Sequence, residues 1–430
     1  MPAMKRWIGF VLACAGLLGS AAAQTDGIFA DFSTSMGDFT VFLDHERAPR
    51  AVASFVGLAT GKTGWLDEHT NVWHRPFYDG SIFHRVVKVV ETNNLVVETN
   101  GIAIQGGGYL WRSVSTNTGV VYTNFAGPGY KMLECLTNGL AHSNGAISMA
   151  NSGPNTDGSQ FFITATNVPF WDGGYSVFGH VVSGLPVVVA IAAVAVQGPN
   201  DRPVEDVVLS RVAIRREGAA AAAFDVAAQG IPSPESTPMA AYRSGTNLEL
   251  RIELATQTKP LMFSESPDLQ NWEHSRLLPA SVNFYTDPDQ IIPGSIPLAN
   301  LGAKYFFHSS RVRYPTPLTA PASQRGRTFT FKWDNPDLTY SATFSSNFLV
   351  PGTGWVQEGT NAPVPRQIFV GDGWIREAYM GRLYFMDDLA REYSYDLGFN
   401  PGQATNRFTG DWGPYNSPVR YPMSGTFTWQ

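Results

Sequence analysis

Two stretches of low-complexity chain govern what this sequence can fold into, because a polypeptide interrupted in this way builds several separate cores. The first runs from Gly218 through five alanines to Phe224 and on through Ile231–Pro238 (IPSPESTP); the second is Tyr314–Pro321 (YPTPLTAP). Small and proline-rich runs of this kind act as spacers. They predict one domain at 24–217, a linker at 218–243, a small module at 244–314, a second linker at 315–325 and a last domain at 326–430. At 430 residues the chain is long enough for that division. With 43% hydrophobic and 13% aromatic residues it can fill such cores, and at 15% charged it is not a solvating, disordered chain.

The first residues have the pattern of an export signal: Lys5 and Arg6, an apolar stretch Trp7–Leu18, and the small residues Ala21-Ala22-Ala23. The reading is a signal peptide at 1–23 and a mature chain from Gln24, exported to the periplasm or secreted. The apolar run is shorter than the ~20 residues that span a bilayer, so no membrane span is expected after cleavage. Lipid anchoring through Cys14 would need a lipobox, and Leu12 is bulky for one. Once the signal is removed Cys135 is the remaining cysteine, which leaves no intramolecular disulfide and marks a plain thiol. The net charge of -6, with no Lys/Arg run, argues against a nucleic-acid or anionic-membrane partner.

Within 24–217 strand and helix signals mix. Ile28, Ala30 and Phe32 alternate, then a Ser35–Asp38 turn, then Phe39, Val41 and Leu43, which predicts a β-hairpin. Pro49 opens a helix whose Val52, Phe55, Val56 and Ala59 share a face and which Gly61 closes. Thr63–Arg75 and Lys88–Gly101 read as inserted surface loops or an added hairpin. Beyond the first linker Leu248, Leu250, Ile252 and Leu254 alternate with charged residues, and strands are expected near Phe284 and Tyr305–His308, together a small β-sandwich. In the last stretch Phe329, Phe331 and Trp333 alternate, as do Phe427 and Trp429, with no long helix between.

The chemistry is concentrated in four segments: Phe77–Val86 (FYDGSIFHRV), Ile102–Gly108 (IAIQGGG), Gly145–Ile163 (GAISMANSGPNTDGSQFFI) and Trp171–Gly179 (WDGGYSVFG). They combine one fixed cation, a few amide and backbone hydrogen-bonding groups and several apolar side chains, and no acid/base pair is required of them. That set suits rotation about a prolyl amide, where the barrier is amide resonance and no bond need break. No HExxH or CxxC spacing supports a zinc site, the Gly106–Gly108 run lacks a P-loop Lys-Ser/Thr, and the Ser159 context is not a nucleophile elbow. No metal or cofactor is expected.

In order and content these four motifs resemble the cyclophilin family over roughly Ile28–Arg216. The resemblance implies a mainly β protein: a cyclophilin-like closed β-barrel with flanking helices, followed here by all-β C-terminal modules. It implies peptidyl-prolyl cis/trans isomerase activity on proline-containing polypeptides. By resemblance Arg85, Gln105 and Phe162 are the catalytic residues: the arginine over the prolyl nitrogen, the amide on the substrate backbone and the aromatic floor of the proline pocket. Ile102, Ala103, Ala150, Phe170, Trp171 and Tyr175 would form its walls, and Asn151 would pair with the peptide through its backbone. His84 takes a packing and hydrogen-bonding position. The chain departs from the best-known family pattern at Ile102 (an aromatic), Ala103 (a larger apolar residue), Phe170 (a tryptophan) and Tyr175 (a histidine). The first of these, with the insertion before it, alters the pocket wall.

Ser264–Trp272 and the stretch ending Tyr305-Phe306-Phe307 look like small β-modules of exported bacterial proteins. The ligand of the C-terminal half is not legible. Trp355, Trp374, Tyr379, Tyr384, Trp412 and Tyr415 are read as strand packing rather than as a sugar or peptide groove. The competing function for the whole chain is a peptide-binding or adhesion protein that keeps the scaffold with little turnover; retention of Arg85, Gln105 and Phe162 favours the enzyme.

Overall fold

The computed structural model describes residues 26–430 apart from 67–71, 94–95, 113–121, 126, 237–238, 253–257, 267–272, 275–294, 298–305, 314–325, 335–337, 345–351, 359–360, 370–373, 378–379, 401–402, 404 and 416. The signal-like segment with Cys14, Leu254, Trp272, Phe284, Tyr305, Tyr379 and the second linker lie outside the described residues.

Strands β1 (Gly27–Thr34) and β2 (Gly37–Leu43) form the expected hairpin, and Ile28, Ala30, Phe32, Phe39, Val41 and Leu43 are each at most 2% exposed. Helix α1 (Pro49–Thr60) carries proline in its first turn and ends where Gly61 takes φ 69°, a left-handed cap that a side chain would strain. Its Val52, Phe55, Val56 and Ala59 are buried in the same core. There follow β3 (Ser81–Phe83), β4 (Arg85–Asn93), β5 (Val96–Gly106), β6 (Tyr109–Arg112), β7 (Tyr122–Phe125), β8 (Ala146–Met149), β9 (Phe161–Thr164), β10 (Val177–Ser183), helix α2 (Leu185–Ala192) and β11 (Val207–Glu217). One sheet joins all eleven strands in the order β4-β5-β9-β8-β10-β2-β1-β11-β3-β6-β7. The sheet is a nearly closed barrel, and the residue between β3 and β4 ties that corner to β5, where the His84 N–H donates to the Gln105 carbonyl at 3.0 Å. Both inserted stretches contain paired strands: Trp65–Leu66 pairs with Val72–Trp73, and the β4–β5 hairpin runs out through Asn93 and Val96.

The stretch read as the first linker is more ordered than its composition suggests. Ala219–Ala223 forms a short helix, Ala221 and Val226 join the barrel's core, and Arg216 Nη1 donates to the Phe224 carbonyl at 2.6 Å. Alanine is the best helix former and costs no side-chain entropy to fix, so a poly-alanine run next to apolar anchors packs instead of remaining loose. Ser233–Ser236 and Met239–Ser244 are strands of the following module. Pro234 is tolerated there because its strand lies at a sheet edge, where a missing N–H leaves no ladder bond unmade. That module has a four-stranded sheet (Ser233–Ser236, Phe306–Arg313, Thr258–Ser266, Glu273–His274) and a three-stranded one (Met239–Ser244, Asn247–Ile252, Ser295–Pro297).

The C-terminal part closes on itself. Strands β12 (Thr328–Trp333), β13 (Leu338–Thr343), β14 (Gly352–Glu358), β15 (Val364–Phe369), β16 (Met380–Asp387), β17 (Arg391–Gly398), β18 (Asn406–Pro414) and β19 (Tyr421–Trp429) pair antiparallel with their chain neighbours. Pairing of β12 with β19 and of Ile368 and Phe369 with Asp387 and Met386 completes an eight-stranded barrel. Its interior is aromatic: Phe329, Phe331, Tyr340, Phe385, Tyr393, Tyr395, Phe408 and Phe427 are buried, with Phe331 and Tyr395 stacked at 4.0 Å. Tyr384 and Tyr415 are exposed at 36% and 55%.

Candidate active site

Strand register assembles the site. Arg85 on β4 stands opposite Gln105 on β5, Gln105 opposite Phe162 on β9, and Phe162 opposite Ser148 on β8. Directly paired residues project to the same side of a sheet, so these four form one row on one face. The next row, Val86, Ile104, Ile163 and Ile147, is fully buried in the barrel core. A strand period of two thus sends the core residues inward and the candidate site residues outward from the same four strands.

Phe162 is 5% exposed and held by aromatic neighbours. Trp171 and Tyr175 meet it edge-on at 5.0 and 5.3 Å between ring centroids, a favoured arrangement for π systems. Trp171 comes from a single 3₁₀ turn opened by Pro169, and it faces the pocket, whereas Phe170 is 69% exposed and touches only the edge of Trp171, at 5.6 Å, among the described rings. Ala103 is fully buried opposite Val87 and Thr164. Ile102, 8% exposed, is the extra residue of a bulge, unpaired between Val87–Ala103 and Lys88–Gly101, and a bulge re-aims the side chain it carries.

The amide groups interlock. Gln105 Nε2 donates to Gln160 Oε1 at 2.9 Å, and the Ala150 N–H donates to the Gln160 carbonyl at 2.9 Å. The side chain of Gln160 has room because residue 108 is glycine: a Cβ there would lie 2.8 Å from Gln160 Cδ, and at Gly107, with φ 76°, 2.5 Å from the Ser159 carbonyl. The IAIQGGG run is thus a close-approach device and not a phosphate loop. Asn151 Nδ2 donates to the Gly174 carbonyl at 3.1 Å and to Asp157 Oδ1 at 3.4 Å. Among the described residues, its backbone N–H and C=O take no backbone partner.

Burial pulls the imidazole of His84 down to about 4, assisted by Arg85 and Arg202 and opposed by its hydrogen bond to Gln160. It is neutral at pH 7 and packs beside the row, the role its sequence position implies. Burial raises the Cys135 thiol above its ordinary value, which suits an idle thiol. Among the described residues no three His, Cys, Asp or Glu side chains gather as a metal site.

Sequence reasoning missed His142, which lies outside the four motifs. Its ring stacks on Phe162 at 5.6 Å and 10° and meets the same two rings, Trp171 and Tyr175, edge-on at 6.2 Å each. Its Nδ1 lies 2.7 Å from Asp172 Oδ1 and its Nε2 3.2 Å from Ser148 Oγ. A carboxylate only accepts, so Nδ1 carries the proton and Nε2 accepts from the Ser148 hydroxyl. Burial lowers the His142 pKa despite Asp172, so the ring stays neutral and serves as a flat support. Gln160 was visible within a motif but drew no role.

Asp157 is fully buried, accepting from Ser176 Oγ at 2.6 Å, and burial, with Glu134 nearby, lifts its pKa from 3.8 to about 7 against the lowering effect of its hydrogen bonds and Arg50. Between those values the folded chain keeps a proton that the unfolded chain has released, so this group lowers stability as pH rises through the window. Asp157→Asn is expected to stabilise the protein relative to wild type by about 2 kcal/mol more at pH 7 than at pH 5. Urea unfolding at the two pH values checks this; an unchanged difference means the carboxyl ionises normally.

The comparisons with known proteins bear on this half of the chain. The family model described as "Cyclophilin type peptidyl-prolyl cis-trans isomerase/CLD" matches residues 29–214. The chain is 36% identical over 195 residues to peptidyl-prolyl cis-trans isomerase B of Streptomyces anulatus, covering 44% of this chain and 98% of that one. It is 36% identical over 189 residues to peptidyl-prolyl cis-trans isomerase A of Mycobacterium tuberculosis, with 43% and 91% covered. Among solved structures, a cyclophilin type isomerase of Cryptosporidium parvum aligns at TM-score 0.32 and 21% identity, covering 44% of this chain and 98% of that one.

Proposed function

The chain belongs to the cyclophilin type peptidyl-prolyl cis-trans isomerases, and from that membership we propose that Arg85 stabilises the twisted prolyl amide over an apolar pocket floored by Phe162. The observation that carries this reading is the row Arg85–Gln105–Phe162 across three adjacent strands. As the X-Pro amide twists, conjugation breaks and the prolyl nitrogen regains a lone pair. A guanidinium donates a charge-assisted hydrogen bond to that lone pair, which the flat ground state does not offer. On this reading Gln105, held by Gln160, grips the substrate backbone, and the backbone edge of half-buried Asn151 pairs with it. Phe162, Trp171 and Tyr175 enclose the ring of proline. Accelerating rotation a thousandfold to a millionfold takes about 4–8 kcal/mol, within reach of one such donor and a fitted pocket.

The substrates on this reading are proline-containing polypeptides, and the basic–apolar–small pattern of residues 1–23 supports exported proteins as the clients. The test is exchange NMR on a short X-Pro peptide with catalytic amounts of the full chain. Line broadening well above the uncatalysed rate is expected. Binding without accelerated exchange would replace the enzyme by a docking module.

Phe170 supplies no N–H and stands 69% exposed. A cyclic undecapeptide inhibitor such as cyclosporin therefore loses a hydrogen-bond donor here, and micromolar or weaker inhibition is expected in the same assay. Nanomolar inhibition would contradict that account of the pocket rim.

A further inference from the structure

Among the described residues, the C-terminal barrel meets the isomerase at Glu134 and at the loop that follows Asn151. Arg407 on β18 places Nη1 3.3 Å from Glu134 Oε1, and the Glu134 side chain is 4% exposed. The other Glu134 oxygen accepts from the Asn155 N–H at 3.3 Å, while the Glu134 N–H donates to Asn155 Oδ1 at 3.2 Å. Asn155 sits at φ 57°, a conformation that needs support in a non-glycine residue. Small residues let the two surfaces meet. A Cβ on Gly398, which pairs with Arg407 across β17 and β18, would lie 2.5 Å from Pro154 Cβ, and one on Gly153 would lie 3.0 Å from Thr409 Oγ1. From there the loop leads back to the site: the Gly153 N–H donates to Asn151 Oδ1 at 3.4 Å, the Ser152 N–H to Thr156 Oγ1 at 2.8 Å, and Asn151 Nδ2 to Asp157.

We propose that the C-terminal barrel is a built-in clamp on loop 151–157, with Arg407 the positioning residue that holds, through Glu134 and Asn155, the backbone edge at Asn151 where proline peptides pair. The inference rests on the reading of Asn151 as a substrate-pairing residue. Its logic is that of a buried ion pair. Truncating Arg407 leaves a carboxylate buried without its cation, which is unfavourable enough to make Glu134 turn outward or take up a proton. Either response weakens the hold on the Asn155 N–H and loosens the turn. Burial already raises the Glu134 pKa, with Arg407 opposing. The chemistry at Arg85 lies on other strands and is untouched, so the clamp acts on binding and not on rotation.

The experiment uses the full chain with Arg407→Met, Arg407→Lys and Gly398→Leu, the last pressing on Pro154 without altering any charge. For a proline tetrapeptide, Arg407→Met and Gly398→Leu are expected to raise KM about fivefold while kcat stays within about twofold, and Arg407→Lys to recover most of the loss. Hydrogen exchange at the amides of residues 152–156 is expected to quicken about tenfold in the first two variants and to stay near wild type in the third. Unchanged KM and unchanged exchange in folded Arg407→Met overturn the clamp while leaving the isomerase reading intact. If wild type accelerates no rotation, the isomerase reading falls. The loop exchange rates then still decide whether the barrel holds this segment.

Discussion

Arg85→Ala is expected to lower kcat/KM for an X-Pro peptide about a hundredfold or more, a loss of roughly 2.7 kcal/mol of transition-state stabilisation. The side chain is exposed at the outer face of β4, opposite Gln105, so its removal leaves the core row of Val86, Ile104, Ile163 and Ile147 undisturbed and the thermal midpoint close to wild type. The charge at this position has to be donated in a fixed direction, and a planar guanidinium does that better than the mobile point charge of an ammonium. Arg85→Lys is therefore expected to fall between the two, nearer to alanine. Exchange NMR under matched enzyme concentration measures all three. Equal exchange in wild type and Arg85→Ala would remove the isomerase mechanism altogether, because no other cation lies in that row.

Phe161→Ala is expected to cost about 3–5 kcal/mol of stability, a loss comparable to the whole margin of many domains. Phe161 is fully buried and meets Phe32, Phe55, Tyr78 and Phe83 edge-on, at centroid distances of 5.8, 5.6, 5.5 and 6.0 Å. A cavity at that junction cannot collapse without moving rings from β1, α1 and β3 together. Its chain neighbour Phe162 projects to the other face, and Phe162→Ala is expected to abolish most turnover at a smaller cost in stability. Urea unfolding of the two variants, with m-values compared, separates the roles. A loss below about 1 kcal/mol for Phe161→Ala would mean that the barrel core is organised elsewhere.

Much of the isomerase half could be read from local pattern. The alternation through Ile28–Leu43, the proline and glycine that bound α1, and the four motifs all state which way a side chain faces, and that is decided within a few residues. What escaped was set by long-range geometry. His142 gives no periodic signal; its meaning comes from a ring on β9 and a carboxylate 30 residues away. The poly-alanine run reads as a spacer because composition cannot show that Ala221 and Val226 meet an apolar surface built by distant strands. The closure of β15 on β16, and the meeting of Arg407 with Glu134 across 273 residues, depend on register and docking that no window of sequence contains. Phe170 and Trp171 sit side by side at the start of the fourth motif, and only the turn at Pro169 settles which of them faces inward.

The ring of eight strands also limits what the barrel can pair with. Where the strands of such a cylinder are bonded on both flanks, the backbone amides are already spoken for, and a sticky extended segment drifting past finds no vacant row to join. Among the described residues the exceptions are short: the four-residue arm Trp374–Glu377 appended to β16, and Val364–Gln367 of β15, which pairs with β14 but not with β16. A strand that brief makes a poor seed for further pairing. If the clients are unfolded chains, as proposed, the doubly bonded stretches of this barrel give them little backbone to pair with.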